Sequence, residues 1–171
     1  FNRLLGDWPI PSFNFIFGDR DGGIGFRQVG LTPKRNSGIQ GVTDGLNPKE
    51  RWDGFIHTED MPGIINPKRG YLVSSNNSPS PSNHWKKMYL GEGYRRGFRA
   101  RRIEEILESR KKHSLQDIKK IQLDVLVPEA RILLPLMLEQ LDTTEKEELS
   151  SVKNLLTSWD RNAGLDSAAM S

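Results

Sequence analysis

Of the 16 glycines and 10 prolines in this 171-residue chain, 20 lie within the first 90 positions. Glycine and proline both disfavour helix interiors and mark turns, so their crowding predicts strands and loops in residues 1–90. Residues 91–171 are predicted to be helical. The expected class is therefore α+β, in one domain or two small ones. No membrane span is expected: the longest apolar run, Ile132 to Leu138, is interrupted by Pro135 and falls far short of about 20 residues. The chain has no cysteine, which excludes disulfides, thiolate metal sites and a cysteine nucleophile.

Phe13-Asn14-Phe15-Ile16-Phe17 favours a strand, and Ile24 to Val29 reads as a second. Between them, Gly18-Asp19-Arg20-Asp21-Gly22-Gly23 predicts the turn of an antiparallel hairpin. Asp19 and Asp21 lack the further oxygen ligands of a calcium loop, so turn chemistry is the reading. Residues 30–66, cut by Pro33, Pro48 and Pro62, are expected to form an irregular loop that buries Trp52, Phe55, Met61, Ile64 and Ile65. Gly70 to Ser75 reads as another strand, running into Asn76-Asn77-Ser78-Pro79.

Helices are expected over Arg95–Arg110, from a cap at Ser114 with Asp117, after Pro128, and from Thr143 or Thr144 to about Ser158. Residues 91–122 hold 10 Lys and Arg against 5 Asp and Glu. This basic strip is either a solvated helix face or a dock for an acidic partner or nucleic acid.

Chemistry is scarce on inspection. His57, His84 and His113 have no partner at a metal-ligand spacing, and no Gly-x-Ser-x-Gly elbow or phosphate-binding loop occurs. Arg99 sits four and seven residues before Ile103 and Ile106, within about 40° of that apolar stripe on a helix. It must either meet acceptors or lay its stem on the core with its head in water. Asn76-Asn77 is open to two readings as well, a set of amide donors at a strand end or a plain asparagine turn before prolines.

A resemblance bears on these choices. Phe13-Asn14, Phe17-Gly18-Asp19 and Gly22-Gly23-Ile24-Gly25 are followed by Gly30-x-x-Pro33-x-Arg35, Trp52-x-Gly54, Met61-Pro62 and Asn66-Pro67-x-x-Gly70-Tyr71. Asn76-Asn77, Phe98-Arg99-Ala100-x-Arg102-Ile103, Trp159-Asp160 and Asp166-Ser167-Ala168-Ala169 complete the series. No single piece is specific, but together and in this order they resemble the penicillin acylase (penicillin amidase) family of N-terminal-nucleophile (Ntn) hydrolases.

The resemblance implies a fragment of an αββα Ntn-hydrolase sandwich: antiparallel strands and a long irregular loop, then an all-helical segment. It implies a parent that cleaves a linear amide through an acyl-enzyme, in the periplasm or secreted, acting on a small-molecule acyl amide. The parent's nucleophile, the first residue of its large chain, would lie upstream of Phe1. This piece would be an internal part of that chain, inactive without the rest of the parent enzyme. By the same resemblance Asn76 is the oxyanion-hole donor, Arg99 organises the network beside it, and Phe13 lines the acyl pocket. No cofactor is expected. A structural calcium in the parent stays open, because the matching segment offers Asn83-His84-Trp85 and no Asp. The alternative is a non-catalytic helical binding module docking an acidic partner or nucleic acid through the basic strip.

Overall fold

A computed structural model of the chain describes residues 2–35, 42–79, 97–143 and 149–170. The chain divides into two compact units, Phe1–Ala100 and Arg101–Ser171. The expected change of character near residue 90 lies outside the described residues, as do Ser80–Ser82 and Asn83–Trp85.

The first unit opens with helix α1 (Asn2–Gly6) and carries five strands, β1 (Phe13–Gly18), β2 (Ile24–Val29), β3 (Pro33–Arg35), β4 (Trp52–Phe55) and β5 (Gly63–Ile65). β1 and β2 form the expected hairpin, in register from Phe13 opposite Val29 to Gly18 opposite Ile24. Its turn closes on the Asp19 carboxylate, whose Oδ1 accepts from the backbone N–H of Asp21 (2.9 Å) and of Gly23 (2.7 Å). A short acidic side chain satisfying turn amides is what this composition favours.

β2 also pairs with β5, giving a sheet of order β1-β2-β5, while β3 and β4 form a separate antiparallel pair. The expectation of an irregular loop over residues 30–66 is thus corrected, since that stretch holds three short strands. Strands of three or four residues are too brief to display alternation, and a neighbouring edge recruits them regardless. Pro33 is admitted because it takes the first position of its strand. The expected burial is corrected too. Met61 is 1% exposed, but Trp52, Phe55, Ile64 and Ile65 remain about half exposed.

The core of this unit forms around β2, which is flanked by a strand on either side: Phe26 and Val29 are buried together with Leu5 and Met61. Gly25 is pressed against its neighbours. A Cβ there would stand 2.0 Å from the Phe17 ring and 2.7 Å from the Ile65 terminal methyl.

The strand expected over residues 70–75 does not form. A strand exists only as half of a pair, and among the described residues none pairs with it. The segment meets β1 instead through a side chain, Asn14 Nδ2 donating to Ser74 Oγ at 3.5 Å.

Helix α2 (Phe98–Glu108) begins in the first unit and continues into the second, where α3 (Leu115–Gln122), α4 (Ala130–Asp142) and α5 (Ser150–Ser158) follow. Positions 95 and 96 lie outside the described residues, and α2 ends two residues short of Arg110. The predicted cap of α3 is present in both halves: Ser114 Oγ accepts from Asp117 N–H, and the Asp117 carboxylate accepts from Ser114 N–H. Val125 falls beyond that helix, in extended chain that bridges to Asn162; its carbonyl accepts from Ala163 N–H at 2.8 Å. Thr143 does not start the last helix, and the other expected start, Thr144, lies outside the described residues. Thr143 closes α4, its hydroxyl donating to the Gln140 carbonyl at 2.8 Å. Serine and threonine hydroxyls serve either helix end, which is why residue type alone misplaces this boundary. No helix among the described residues is long and apolar enough to cross a membrane.

Candidate functional site

The first unit brings Asn76 and Arg99 together. The chain leaves the 70–75 segment by turning at Asn76, whose φ of 58° lies in the left-handed region that asparagine tolerates better than most side chains. Arg99, in the first turn of α2, donates from Nη2 to Asn76 Oδ1 at 2.5 Å and to the Ser75 carbonyl at 3.2 Å. The turn reading at Asn76 is realised and its carboxamide is held by Arg99, but the strand end expected before it is absent, since residues 70–75 form no strand. Arg99 likewise meets acceptors while remaining exposed.

Chemistry fixes the orientation of that carboxamide. A guanidinium can only donate, so the atom facing Arg99 must be the oxygen, and the Asn76 NH2 group points elsewhere. Among the described residues that NH2 group makes no hydrogen bond. Asn77 is used differently. Its Oδ1 accepts from Ser75 N–H at 2.9 Å and its Nδ2 donates to the Ser78 carbonyl at 3.2 Å, so its amide is committed to backbone. Of the two adjacent asparagines, Asn76 is the one whose NH2 group is wholly unengaged among the described residues. Among the described residues the partners of Arg99 are neutral, and no carboxylate there offsets its positive charge. Such a corner suits an anion or a developing negative charge and repels a cation.

Phe13 is about half exposed and packs in an aromatic cluster with Trp8 and Phe15, ring centroids 6.3 and 6.0 Å away. Strand alternation turns Phe13 and Phe15 to one face of β1 and Asn14, which reaches Ser74, to the other.

The second unit holds a network that sequence reasoning missed. Arg102 grips Asp124 with two parallel bonds, Nε to Oδ1 at 3.1 Å and Nη2 to Oδ2 at 2.7 Å. Glu105 accepts from Arg102 at 3.0 Å and from Arg131 at 2.9 and 3.3 Å. Hydrogen bonding from Arg102 holds the Asp124 carboxyl below its ordinary range, and Arg131 does the same for Glu105. Within the basic strip Arg110 pairs with Asp117 at 3.1 Å. His113 Nε2 lies 2.9 Å from the Leu107 carbonyl near the end of α2, a structural use.

Among the described residues no group of three or more His, Asp or Glu is placed to hold a metal ion. A cleft of about 530 Å3 in the second unit is lined by Trp159, Asp160, Leu165 and Asp166 and contains none of the three predicted site residues.

Comparison with known proteins places the chain in a family. The family model for penicillin amidase matches residues 1–171. The chain belongs to the penicillin amidase family. It is 29% identical over 167 residues to penicillin acylase 2 proenzyme of Pseudomonas sp. (strain SE83), covering 96% of this chain and 21% of that protein. A second relative is acyl-homoserine lactone acylase QuiP of Pseudomonas syringae pv. tomato, 31% identical over 102 residues, 58% of this chain and 12% of the relative. Among solved structures, thermostable penicillin G acylase from Alcaligenes faecalis superposes with a TM-score of 0.69 at 23% identity, over 94% of this chain and 29% of that one. That likeness shows the fold. The chain spans about a fifth of the length of the first relative and less than a third of the solved acylase.

Proposed function

We propose that this chain supplies the oxyanion-binding corner of a penicillin acylase-type amide hydrolase, within the helix-and-sheet sandwich of the Ntn class. The parent protein provides the nucleophile from its other parts. Attack on the amide carbonyl drives negative charge onto oxygen, first in forming the acyl-enzyme and again in hydrolysing it. The Asn76 NH2 group donates to that oxygen in both steps. Arg99 fixes the rotamer that makes the donation possible and adds positive potential without itself accepting a proton. Phe13, at the edge of its aromatic cluster, offers an apolar wall for the acyl group. The substrate class is an amide joining an acyl group to a polar amine, the linkage shared by penicillins and acyl-homoserine lactones that the relatives' names describe. No step uses a metal.

The observation that carries this reading is the Arg99-to-Asn76 hydrogen bond, which leaves one donor group turned away from its holder. The polyanion-binding module is less favoured, because among the described residues Arg102 and Arg110 of the basic strip are paired with carboxylates. The test is Asn76→Ala in the full-length protein. Turnover should fall about 10²- to 10³-fold with little change in KM, the usual cost of one oxyanion donor. Undiminished turnover removes Asn76 from the mechanism. The chain by itself should hydrolyse no amide.

A further inference from the structure

We infer that Asn77 is a positioning residue, holding the backbone so that the Asn76 carboxamide can be presented; this rests on the oxyanion reading above. Ser75 is fixed at both of its polar atoms. Its N–H donates to Asn77 Oδ1 at 2.9 Å, and its carbonyl accepts from Arg99 at 3.2 Å. These two groups belong to the successive peptide planes on either side of Ser75, so together they set where the Asn76 Cα lies. On the far side, Asn77 Nδ2 donates to the Ser78 carbonyl at 3.2 Å. One carboxamide therefore braces the chain before and after Asn76, whose φ of 58° is left-handed.

The brace matters because Asn76 reaches its holder from a turn, and turns have other conformations available. Without the Asn77 acceptor, the Ser75 N–H regains the freedom to face water, and the left-handed geometry loses its support. The Asn76 side chain would then sample positions in which its NH2 group no longer meets the carbonyl oxygen under attack. A donor misplaced by about an ångström costs rate far more than binding.

Asn77 acts only through Asn76, which gives a test that a general structural role would not pass. In the full-length protein, with penicillin G or an N-acyl-homoserine lactone as substrate, Asn77→Ala should lower kcat about 10- to 100-fold and leave KM within about threefold. In a protein already carrying Asn76→Ala, the same change should alter kcat by less than about twofold. Equal losses in the two backgrounds, or no loss in either, overturn the inference. Should Asn77→Ala not fold, Asn77→Ser, which keeps an acceptor within reach of the turn, is carried through the same cycle. If Asn76→Ala alone leaves kcat intact, or if neither substrate is turned over, the fault lies with the oxyanion reading itself.

Discussion

Two arginines three residues apart on α2 meet opposite surroundings. Among the described residues Arg99 donates to a carboxamide and a backbone carbonyl, both neutral, and meets no carboxylate. Arg102 is clasped by Asp124 and Glu105, which cancel it. The contrast separates two uses of one side chain. A guanidinium among carboxylates is a fastener between segments of the second unit. A guanidinium among neutral acceptors remains an electrostatic tool, available to a charge that appears during reaction.

The sharpest way to break this contrast is to remove each arginine in turn. Arg99→Leu in the full-length protein should lower kcat about 100-fold and change the unfolding free energy by less than about 0.5 kcal/mol, since the side chain is exposed. Arg102→Leu should do the reverse. Turnover should hold within about threefold, while stability falls by about 2 kcal/mol as Asp124 loses its two-pronged partner. Exchanged results would invert the assignment of roles. Asp124→Asn should cost roughly 1–2 kcal/mol by weakening the same clasp from its other side.

Acid should dissect the clasp further. Asp124 titrates below its ordinary range when folded, whereas the unfolded chain takes up a proton near pH 4. The unfolded state therefore binds more protons as pH falls, and the stability that Asp124 contributes above about pH 4 is lost progressively below it. Urea unfolding at pH 7 and pH 3.5 should show a smaller acid loss in Asp124→Asn than in the parent sequence. The smallest effect belongs to Ser114→Ala. It should cost about 1 kcal/mol by opening the cap of α3, seen as a lower urea midpoint with turnover unaffected.

How much of this was legible follows from the distance over which each interaction acts. The β1–β2 turn and the α3 cap were readable because every atom involved lies within a few residues: Asp19 to Gly23, Ser114 to Asp117. The strand at Gly63–Ile65 was not, because it owes its existence to β2, some forty positions away, and shows no period of its own. The expected strand at 70–75 failed for the complementary reason, having strand-like residues but no mate among the described residues. Arg99 was placed by helical spacing and by family resemblance, while its bond to Asn76, 23 residues earlier, needed coordinates. Arg102 stands in the family motif, but its pairing with Asp124, like that of Arg131 with Glu105, announces nothing in sequence. Charged residues are common in any helix, and which of them meet is decided by side-chain geometry across 22 and 26 positions.

The crowding at Gly25 has a consequence for anyone reshaping the proposed acyl wall. At that point β2 is a single hydrogen atom thick beneath Phe17, and Phe17 shares its face of β1 with Phe15 and Phe13. Adding one methyl at Gly25 must displace the Phe17 ring, on the strand face where Phe13 and Phe15 pack against each other. Gly25 stands opposite Phe17, four residues along β1 from Phe13, and is thus a remote handle on which acyl groups the proposed wall accepts.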